Sequence, residues 1–592
     1  MAKVERHRAG EPKHEEAKMA SGNVKVKAGT RPPWVGLAAA VWVQMAAGNA
    51  YTFPLYSPAL KSVLGYDQRQ VAMLGVANDV GENFGVVAGV LCNSLPPWLV
   101  LLVGAALCFL GFGTLWLAVS GTVLGMPYWL LWIALAIGTN SNAWFVTAVL
   151  VTNMRNFPLR RGVVAGLLKG YVGLSAALFT QVFSGLLHRS PTALLLLLAA
   201  GIPVVCLSTM YYVRPCTPAL GAGGEEEDAM QDGHFAFAQA ASVLLGAYLV
   251  GTTVLGTVVT LSDAASYALF AVTVLLLLAP LAIPVKMTLF RKKKPSPPME
   301  PPAAATAEEE PLLIPSDPPP PADEDSDEKV AVLLAEGEGA VVKRKSRRPR
   351  RGEDFEFTEV LVKADFWLLW FGYFIGVGTG VTVLNNLAQI GAAAGIADTT
   401  VLLSLFGLGN FLGRLGGGAI SEKFVRSPTL LLPRPVWMSL TQTVLAVAYL
   451  CLAYALSPGA VYACAAVIGV CYGAQFAVMI PTTSELFGLK NFGLFYNLMA
   501  VANPLGAVIF SEELAGRLYD GEAARQRHGG GGGGHPHACV GPECFRVAFV
   551  VLAACCAVGT AVSLVLAARI RPVYRALYAG GSFRLPNGNQ QH

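Results

Sequence analysis

Apolar stretches of about 20 residues recur along the chain and are separated by short polar segments. An α-helix needs about 20 predominantly apolar residues to cross the hydrocarbon core of a bilayer. The pattern therefore predicts fourteen membrane-spanning helices, eight before a long polar segment and six after it. The predicted spans are residues 34–57, 71–92, 98–119, 128–151, 162–187, 193–213, 236–258, 266–286, 365–390, 399–420, 433–456, 460–483, 492–510 and 545–568.

The long polar segment, residues 287–363, divides the chain into two parts. It contains an acidic run at 323–328, a basic run at 343–351 and no sustained helical period. Because so polar a segment buries little apolar surface, we expect a disordered cytoplasmic loop. The predicted order is a basic cytoplasmic tail, a six-helix bundle, two extra spans, this loop, a second six-helix bundle and a cytoplasmic tail, at residues 1–33, 34–215, 216–286, 287–363, 364–570 and 571–592.

Composition and charge also indicate an integral membrane protein. Hydrophobic residues make up 54% of the chain and charged residues 14%, whereas soluble domains carry about 25% charged residues. Most of the 43 Lys and Arg residues fall on the side of the predicted membrane that also carries both termini. Since positively charged loops stay in the cytoplasm, we expect both termini there. The opposite loops carry only Lys61, Arg69, Arg189, Arg517, Arg525 and Arg527.

Two of the 11 cysteines, Cys539 and Cys544, share a polar loop before the last predicted span, and the other nine lie in or beside apolar runs. A buried thiol usually behaves as a small hydrophobic group. A disulfide between Cys539 and Cys544 suits a loop on the non-cytoplasmic side. His528, His535 and His537 lie near them, but the spacing fits no standard zinc finger. We expect no metal site and no cofactor.

Several motifs in the chain resemble one family. They are QMAAGNAYTF at 44–53, GLLKGYVGLS at 166–175, RGEDFEF at 351–357, ADFWLLWFGYFIGVGTGVTVLNNLAQIG at 364–391, NFLGRLGGGAISEK at 410–423 and SELFGLKNFGLFYN at 484–497. In this order they resemble the plant nodulin-like branch of the major facilitator superfamily, which includes proteins named for nuclear fusion defects. The resemblance implies an all-α membrane protein with the major facilitator fold. It would comprise two six-helix bundles and two extra central spans, about fourteen transmembrane helices in all.

The superfamily places a G-x-x-x-D-[RK] motif between the second and third spans of each half. The second half of this chain matches it with Gly418, Glu422 and Lys423, where Glu replaces Asp. The corresponding stretch of the first half, from Gly89 to Asn93, has neither an acid nor a base. The resemblance therefore implies a charged gating motif on one side only.

Four ionisable residues lie inside predicted spans, where a charge is costly and usually functional. Asp79 and Glu82 share one side of their helix, and either carboxyl is a candidate for binding cargo or carrying a proton. The alternative is a structural hydrogen-bond network. Lys169 could reach the cytoplasmic surface, pair with one of these carboxylates or contact cargo. Arg414 resembles the position that oxalate- and monocarboxylate-type members use for an anion. Its alternatives are a gating salt bridge to Glu422 and an anchor at the end of the helix.

Amide and tyrosine side chains inside the spans complete the candidate binding residues. Each alone could hydrogen-bond between helices, but together they indicate a hydrated cavity near the membrane midplane. They are Asn49, Tyr51, Asn83, Asn140, Asn142, Asn385, Asn386, Gln389, Gln475 and Asn497.

The expected function is secondary transport of a small polar solute, most simply an organic anion, by alternating access with a proton as the candidate coupling ion. Two alternatives stay open: a metal or cation carrier using Asp79 and Glu82, and a non-transporting receptor or scaffold that acts through residues 287–363. Enzyme activity is not expected, because the chain has no phosphate-binding GxxxxGK[ST] motif and no recognisable nucleophile–base pair.

The expected partners are a small-molecule substrate and the lipid bilayer, with no nucleic acid, and we expect a monomer. Glu308, Leu312 and Leu313 match an acidic dileucine sorting signal. The sequence leaves open the cargo, the coupling stoichiometry, the direction of transport and whether the protein resides in the plasma membrane or in a vacuolar or other internal membrane.

Overall fold

The computed structural model describes residues 31–66, 68–216, 224–259, 262–289, 353–396, 400–427, 430–528 and 539–578. Most of the predicted loop, the sorting motif at Glu308, Leu312 and Leu313, and most of both predicted tails lie outside these residues. Within the described ranges every regular element is helical. The expectation of an all-α membrane protein is therefore confirmed.

The first half of the chain contains nine α-helices. They are α1 Arg31–Ala46, α2 Phe53–Leu64, α3 Gln68–Asn83, α4 Val86–Ser94, α5 Pro97–Val119, α6 Tyr128–Asn156, α7 Arg161–Gly185, α8 Pro191–Leu196 and α9 Ile202–Thr209. Two 3-10 turns, Ala47–Thr52 and Pro158–Arg160, lead into α2 and α7, and a π-helical turn, Leu197–Gly201, joins α8 to α9.

Three helices follow before the long loop: α10 Gly224–Val258, α11 Asp263–Leu278 and α12 Ala282–Leu289, with a 3-10 turn at Ala279–Leu281. The second half begins with the short helix α13 Phe357–Leu361. It continues with α14 Ala364–Asn385, α15 Leu387–Ala393, α16 Thr400–Val425, α17 Pro435–Tyr454, α18 Pro458–Phe487, α19 Phe492–Ala500, α20 Ala502–Gly506, α21 Arg517–His528 and α22 Glu543–Leu577. A π-helical segment, Ala507–Gly516, joins α20 to α21.

Local sequence explains where several helices begin. Ser190 and Ser457 cap α8 and α18, and each side-chain oxygen accepts a hydrogen bond from the backbone N–H three residues later. Proline follows directly at Pro191 and Pro458. Serine satisfies a backbone donor that has no partner inside the helix, and proline at the first helical position loses no hydrogen bond.

Among the described residues, eleven helical segments are long and apolar enough to cross a membrane. They are Pro97–Val119, Tyr128–Asn156, Pro158–Gly185, Pro191–Thr209, Met230–Thr253, Asp263–Leu289, Ala364–Asn385, Pro435–Tyr454, Pro458–Phe487, Phe492–Gln526 and Glu543–Arg575. The protein is therefore a multi-pass membrane protein.

The other three predicted spans, 34–57, 71–92 and 399–420, differ from these eleven. The first two are interrupted, at the 3-10 turn Ala47–Thr52 and between α3 and α4, and the third is the continuous helix α16. All three contain polar or charged residues at the central cavity described below, which lowers their mean hydropathy.

The two halves approach each other most closely where α7 packs on α16 and α4 packs on α19. Small residues allow this approach, as expected for packed membrane helices. A Cβ atom added at Gly418 would lie 2.4 Å from the carbonyl oxygen of Gly162, and one added at Gly89 would lie 2.5 Å from that of Gly493. We call this side of the molecule, which carries Gly162, Glu422, Arg434 and Glu485, the charged end.

Candidate functional site

A cavity of about 420 Å³ lies between the two halves of the protein. Its volume is within the range of about 300–1,000 Å³ that is usual for small-molecule sites. Helices α3, α6 and α7 of the first half and α14, α16, α18 and α19 of the second contribute to its wall. Nine of the predicted site residues line it: Tyr51, Asp79, Glu82, Asn83, Asn142, Lys169, Asn385, Arg414 and Asn497.

Two cations lie side by side in the wall, Arg414 on α16 and Lys169 on α7, and both are buried. Arg414 donates from Nη1 to the backbone oxygen of Lys169 at 3.0 Å and from Nε to Oδ1 of Asn410 at 3.0 Å. Its guanidinium also lies 4.6 Å from the ring centre of Phe476. The ammonium of Lys169 lies 5.1 Å from the ring centre of Tyr496. The cations of the two halves therefore meet at the cavity, held by aromatic faces and a helix carbonyl.

The two carboxylates come from α3, and each accepts a hydrogen bond from an asparagine. Asn142 on α6 donates from Nδ2 to Oε1 of Glu82 at 3.0 Å, and Asn78 donates to Oδ1 of Asp79 at 3.3 Å. In the described part of the chain, no ion pair joins either carboxylate to Lys169 or Arg414. Glu82 is nevertheless within electrostatic reach of both cations, so the four charges belong to one site.

The cavity also contains aromatic residues that sequence reasoning missed, namely Tyr373, Tyr472, Phe476 and Tyr496. The hydroxyl of Tyr472 donates to Oδ1 of Asn503 at 3.2 Å, whereas the buried hydroxyl of Tyr373 has no hydrogen-bond partner among the described residues. For the three tyrosines, the sequence signal that could have indicated a cavity residue was a phenolic oxygen inside an otherwise apolar span. Because tyrosine also occurs widely in membrane helices, that signal did not stand out as a charge does.

Five predicted site residues lie outside the cavity lining. Four of them donate hydrogen bonds elsewhere. Asn49 donates to Ser141, and Asn140 donates to the backbone oxygens of Gly81 and Phe84. Asn386 donates to Thr382 and Ser511, and Gln475 donates to Met438 and Thr441. These bonds hold neighbouring helices together or cap a helix break. Gln389 is exposed on α15.

A network of buried charges lies at the charged end. Arg434, which is fully buried, donates from Nε to both carboxylate oxygens of Glu485 at 2.9 Å and from Nη2 to Oε2 of Glu422 at 2.7 Å. The hydroxyls of Tyr574, on α22, and Tyr578, directly after α22, donate to the carboxylate of Glu485 at 2.6 and 2.7 Å. One arginine thus ties α16, α17, α18 and α22 together.

The predicted gating motif forms part of this network. Glu422 accepts the backbone N–H of Gly162 at 2.9 Å, so it also bonds to the first half. Gly418 packs against Gly162, and Lys423 is exposed. Glu422 pairs with Arg434 and Arg426 and not with Arg414, which is at the cavity instead. Sequence reasoning missed Arg434 and Glu485 because both lie at the edge of a predicted span: Arg434 near the start of 433–456 and Glu485 just after 460–483.

The end of the long loop packs onto the turn between α18 and α19. Phe355 donates its N–H to the backbone oxygen of Phe487 at 3.2 Å, and Asn491 donates from Nδ2 to the backbone oxygen of Phe355 at 2.8 Å. Gly488 has φ of +81°, and a Cβ there would overlap Asp354, so glycine is required at this turn. The described part of the RGEDFEF motif, residues 353–357, is therefore a structural contact at the charged end.

Cys539 and Cys544 form a disulfide next to the start of α22. The backbone N–H of Cys539 donates to the hydroxyl of Tyr519 at 3.1 Å, which attaches the loop to α21. The other nine cysteines are free thiols, buried or half-buried among the helices.

These features define a class of protein: a multi-pass helical membrane protein whose two halves enclose a polar cavity. Residues 33–285 match the family model described as Nodulin-like, and residues 353–576 match the model described as NFD4, C-terminal domain. The two models together cover most of the chain, which therefore carries a Nodulin-like domain followed by an NFD4 C-terminal domain. The resemblance to nodulin-like and nuclear-fusion-defective proteins stated from the sequence motifs is confirmed.

Two curated relatives and two solved structures illustrate the similarity. The chain is 27% identical to the protein NUCLEAR FUSION DEFECTIVE 4 of Arabidopsis thaliana over 548 residues, 92% of this chain and 90% of that protein. It is 25% identical to the probable transporter mch1 of Aspergillus fumigatus over 230 residues, 32% of this chain and 36% of that protein.

The solved structures are those of two sugar symporters. The fucose:proton symporter of E. coli is 14% identical, with a TM-score of 0.46, over 90% of this chain and 98% of that one. The proton:xylose symporter XylE is 10% identical, with a TM-score of 0.47, over 89% of this chain and 94% of that one. Similarity at this level does not bear on the cargo of this chain.

Proposed function

We propose that the protein is a secondary active transporter of a small organic anion. The observation that carries this proposal is the pair of cations, Arg414 and Lys169, in the wall of a cavity between the two halves. A guanidinium stays charged when buried and offers two parallel donors to a carboxylate. The neighbours of these two cations are mainly aromatic faces. A carboxylate of the cargo would therefore bind to both cations and compensate their charge.

Alternating access would proceed by separation of the two halves at the charged end. The contacts that close this end are the packing of Gly162 and Gly166 against α16 and the hydrogen bond from Gly162 to Glu422. Release of cargo on this side requires that they break. A proton carried by Asp79 or Glu82 is the proposed coupling ion, since both carboxyl groups line the same cavity as the anion site.

The proposed arrangement has about fourteen transmembrane helices in two six-helix bundles, residues 34–215 and 364–570, with two extra spans at 216–286. Both termini and residues 287–363 would be cytoplasmic, so the charged end would face the cytoplasm. This orientation is supported by the distribution of Lys and Arg residues along the chain. We propose a monomer, with sorting adaptors that recognise Glu308, Leu312 and Leu313.

The test is uptake of labelled carboxylates by proteoliposomes, with and without a proton gradient. The wild type should accumulate at least one carboxylate above the level of protein-free vesicles. Arg414→Gln should reduce that uptake at least about tenfold, because a charge-assisted hydrogen-bonded pair contributes roughly 1.5–3 kcal/mol. Arg546→Gln, which removes a partly exposed arginine paired with Glu543, serves as the matched control. A broad carboxylate panel without any uptake would exclude the anion proposal.

A cation carrier is the second candidate, because Asp79 and Glu82 line the same cavity. It makes the opposite prediction: Arg414→Gln is tolerated, while Asp79→Asn and Glu82→Gln abolish transport of the cation. Within the described residues there is no group of three or more His, Cys, Asp or Glu side chains that could hold a metal ion. The same three variants in one uptake assay therefore separate the two candidates.

A further inference from the structure

The charges of the cavity are balanced, and those of opposite sign lie on different helices. Asp79 and Glu82 lie on α3, whereas Lys169 lies on α7 and Arg414 on α16. The two positive and two negative formal charges cancel. A simple anion would compensate the cations but would add one uncompensated negative charge near the carboxylates. Cargo with charges of both signs avoids this cost, because each charged end then meets its opposite.

Two buried asparagines donate hydrogen bonds to these carboxylates. Asn142 and Asn78 are only 4% and 6% exposed, and their Nδ2 groups donate to Glu82 and Asp79. A carboxylate only accepts hydrogen bonds, so Glu82 and Asp79 keep their remaining oxygen lone pairs for donors of a ligand.

The wall formed by α3 and α6 presents two carboxylates, those of Asp79 and Glu82, to the cavity. An ammonium group, which has three donors and no acceptor, matches these carboxylates. Helices α7 and α16 present the ammonium of Lys169 and the guanidinium of Arg414, which match a carboxylate.

We infer that the cargo is a zwitterion with one carboxylate and one ammonium group, of the amino-acid type. Its carboxylate contacts Arg414 and Lys169, and its ammonium group contacts Glu82 and Asp79. This inference rests on the proposed function, since the carboxylate site is the same. It assigns the acidic residues to cargo recognition in place of proton transfer.

The test compares pairs of compounds that differ only in the amine. Proteoliposomes with the full-length protein receive labelled amino acids and, for alanine, leucine and glutamate, the 2-hydroxy acids in which a hydroxyl replaces the ammonium group. Glucose is included as a neutral polyol. At least one amino acid should be taken up at least about tenfold better than its hydroxy acid, the factor expected when one charge-assisted hydrogen-bonding group is lost.

Two variants test the assigned contacts. Glu82→Gln and Asp79→Asn keep the shape of the side chain and remove its charge, so at least one of them should lower the ratio of amino-acid to hydroxy-acid uptake toward one. Glu513→Gln is the matched control: Glu513 is exposed, pairs with Arg517 and does not line the cavity. It should leave the ratio unchanged.

The possible results separate this inference from the proposed function. Equal uptake of amino and hydroxy acids, or a ratio unchanged in both variants, overturns the zwitterion and leaves the anion transporter standing. Uptake of glucose alone overturns both. No uptake of any carboxylate, with or without an amine, also overturns both, because the shared carboxylate site then has no ligand.

Discussion

Arg434 is the largest fully buried side chain of the described residues, and its surroundings explain how a charge is accommodated there. Burial alone lowers the pKa of Arg434. The carboxylates of Glu485 and Glu422 nevertheless hold this pKa well above its ordinary value. Arg434 therefore stays protonated. Since it compensates two buried carboxylates at once, its removal leaves both without their main partner.

We predict that Arg434→Met destabilises the protein strongly. A buried ion pair that loses one partner typically costs about 3–5 kcal/mol, because the remaining charge is uncompensated. The unfolding temperature of the purified protein in detergent should fall well below that of the wild type. Arg546→Met, at a partly exposed pair with Glu543, should change it little. Equal unfolding temperatures for the two variants would show that the network does not stabilise the fold.

At the scale of single residues, the sequence identified the charged part of the candidate site and missed the aromatic part. Asp79, Glu82, Lys169 and Arg414 were identifiable because a charge inside an apolar stretch is rare and costly. Tyr373 was not, since only the packing of α14 places this residue at the cavity. Asn49 and Gln475 show the converse: they are polar inside spans, yet their hydrogen bonds join helices.

At the scale of helices, glycine spacing indicated close packing but not the partner helix. The glycines of α7 at 162, 166 and 170 recur every four residues and therefore share one face. The structure places that face against α16. A Cβ at Gly166 would lie 2.6 Å from the backbone oxygen of Arg414, so the stripe also sets how closely the two halves approach beside the cavity.

We predict that Gly418→Val loosens the charged end. Its side chain would meet the backbone of Gly162 and Gly166, at 2.4 Å for the Cβ and the Gly162 oxygen, so α7 and α16 must separate. Hydrogen–deuterium exchange of both helices should rise relative to the wild type. Gly416→Ala is the control on the same helix, because the nearest heavy atom to its Cβ would be 3.9 Å away, on Ile420. Unchanged exchange in Gly418→Val would argue against close packing there.

The interrupted helices show that the apolar pattern alone does not reveal where a helix breaks. Residues 34–57 look like one continuous span, but the chain forms a 3-10 turn at Ala47–Thr52. A Cβ at Gly48 in this turn would overlap the side chain of Ser175 on α7. The break therefore belongs to a close contact between helices that are far apart in sequence.

At the scale of the whole molecule, replacing most of the predicted loop can distinguish a transporter from a scaffold. The described residues that form the helices, the cavity and the charged end lie outside 290–352, and Phe355 bonds to the turn between α18 and α19. Any role of the loop as a binding platform should therefore be separable from the cavity.

We predict that replacing residues 290–352 with a Gly/Ser segment of equal length preserves transport, because equal length leaves the connection between the halves unstrained. Initial uptake rates in proteoliposomes should stay within about twofold of the wild type when equal amounts of folded protein are reconstituted. A matched replacement of residues 353–361 should instead reduce the yield of folded protein. Loss of uptake after the first replacement would favour the scaffold hypothesis.

The sequence by itself determined the class of the protein, its multi-pass character, its family and the four charges of the candidate site. These properties are local: a span is recognised by its length and apolarity, a family by its motifs, and a costly charge by its apolar neighbours. The tertiary structure alone decided which polar residues share a cavity, which carboxylates pair with Arg434 and where helices break. Those outcomes depend on contacts between helices up to several hundred residues apart, such as Gly162 with Glu422, and no local pattern encodes them.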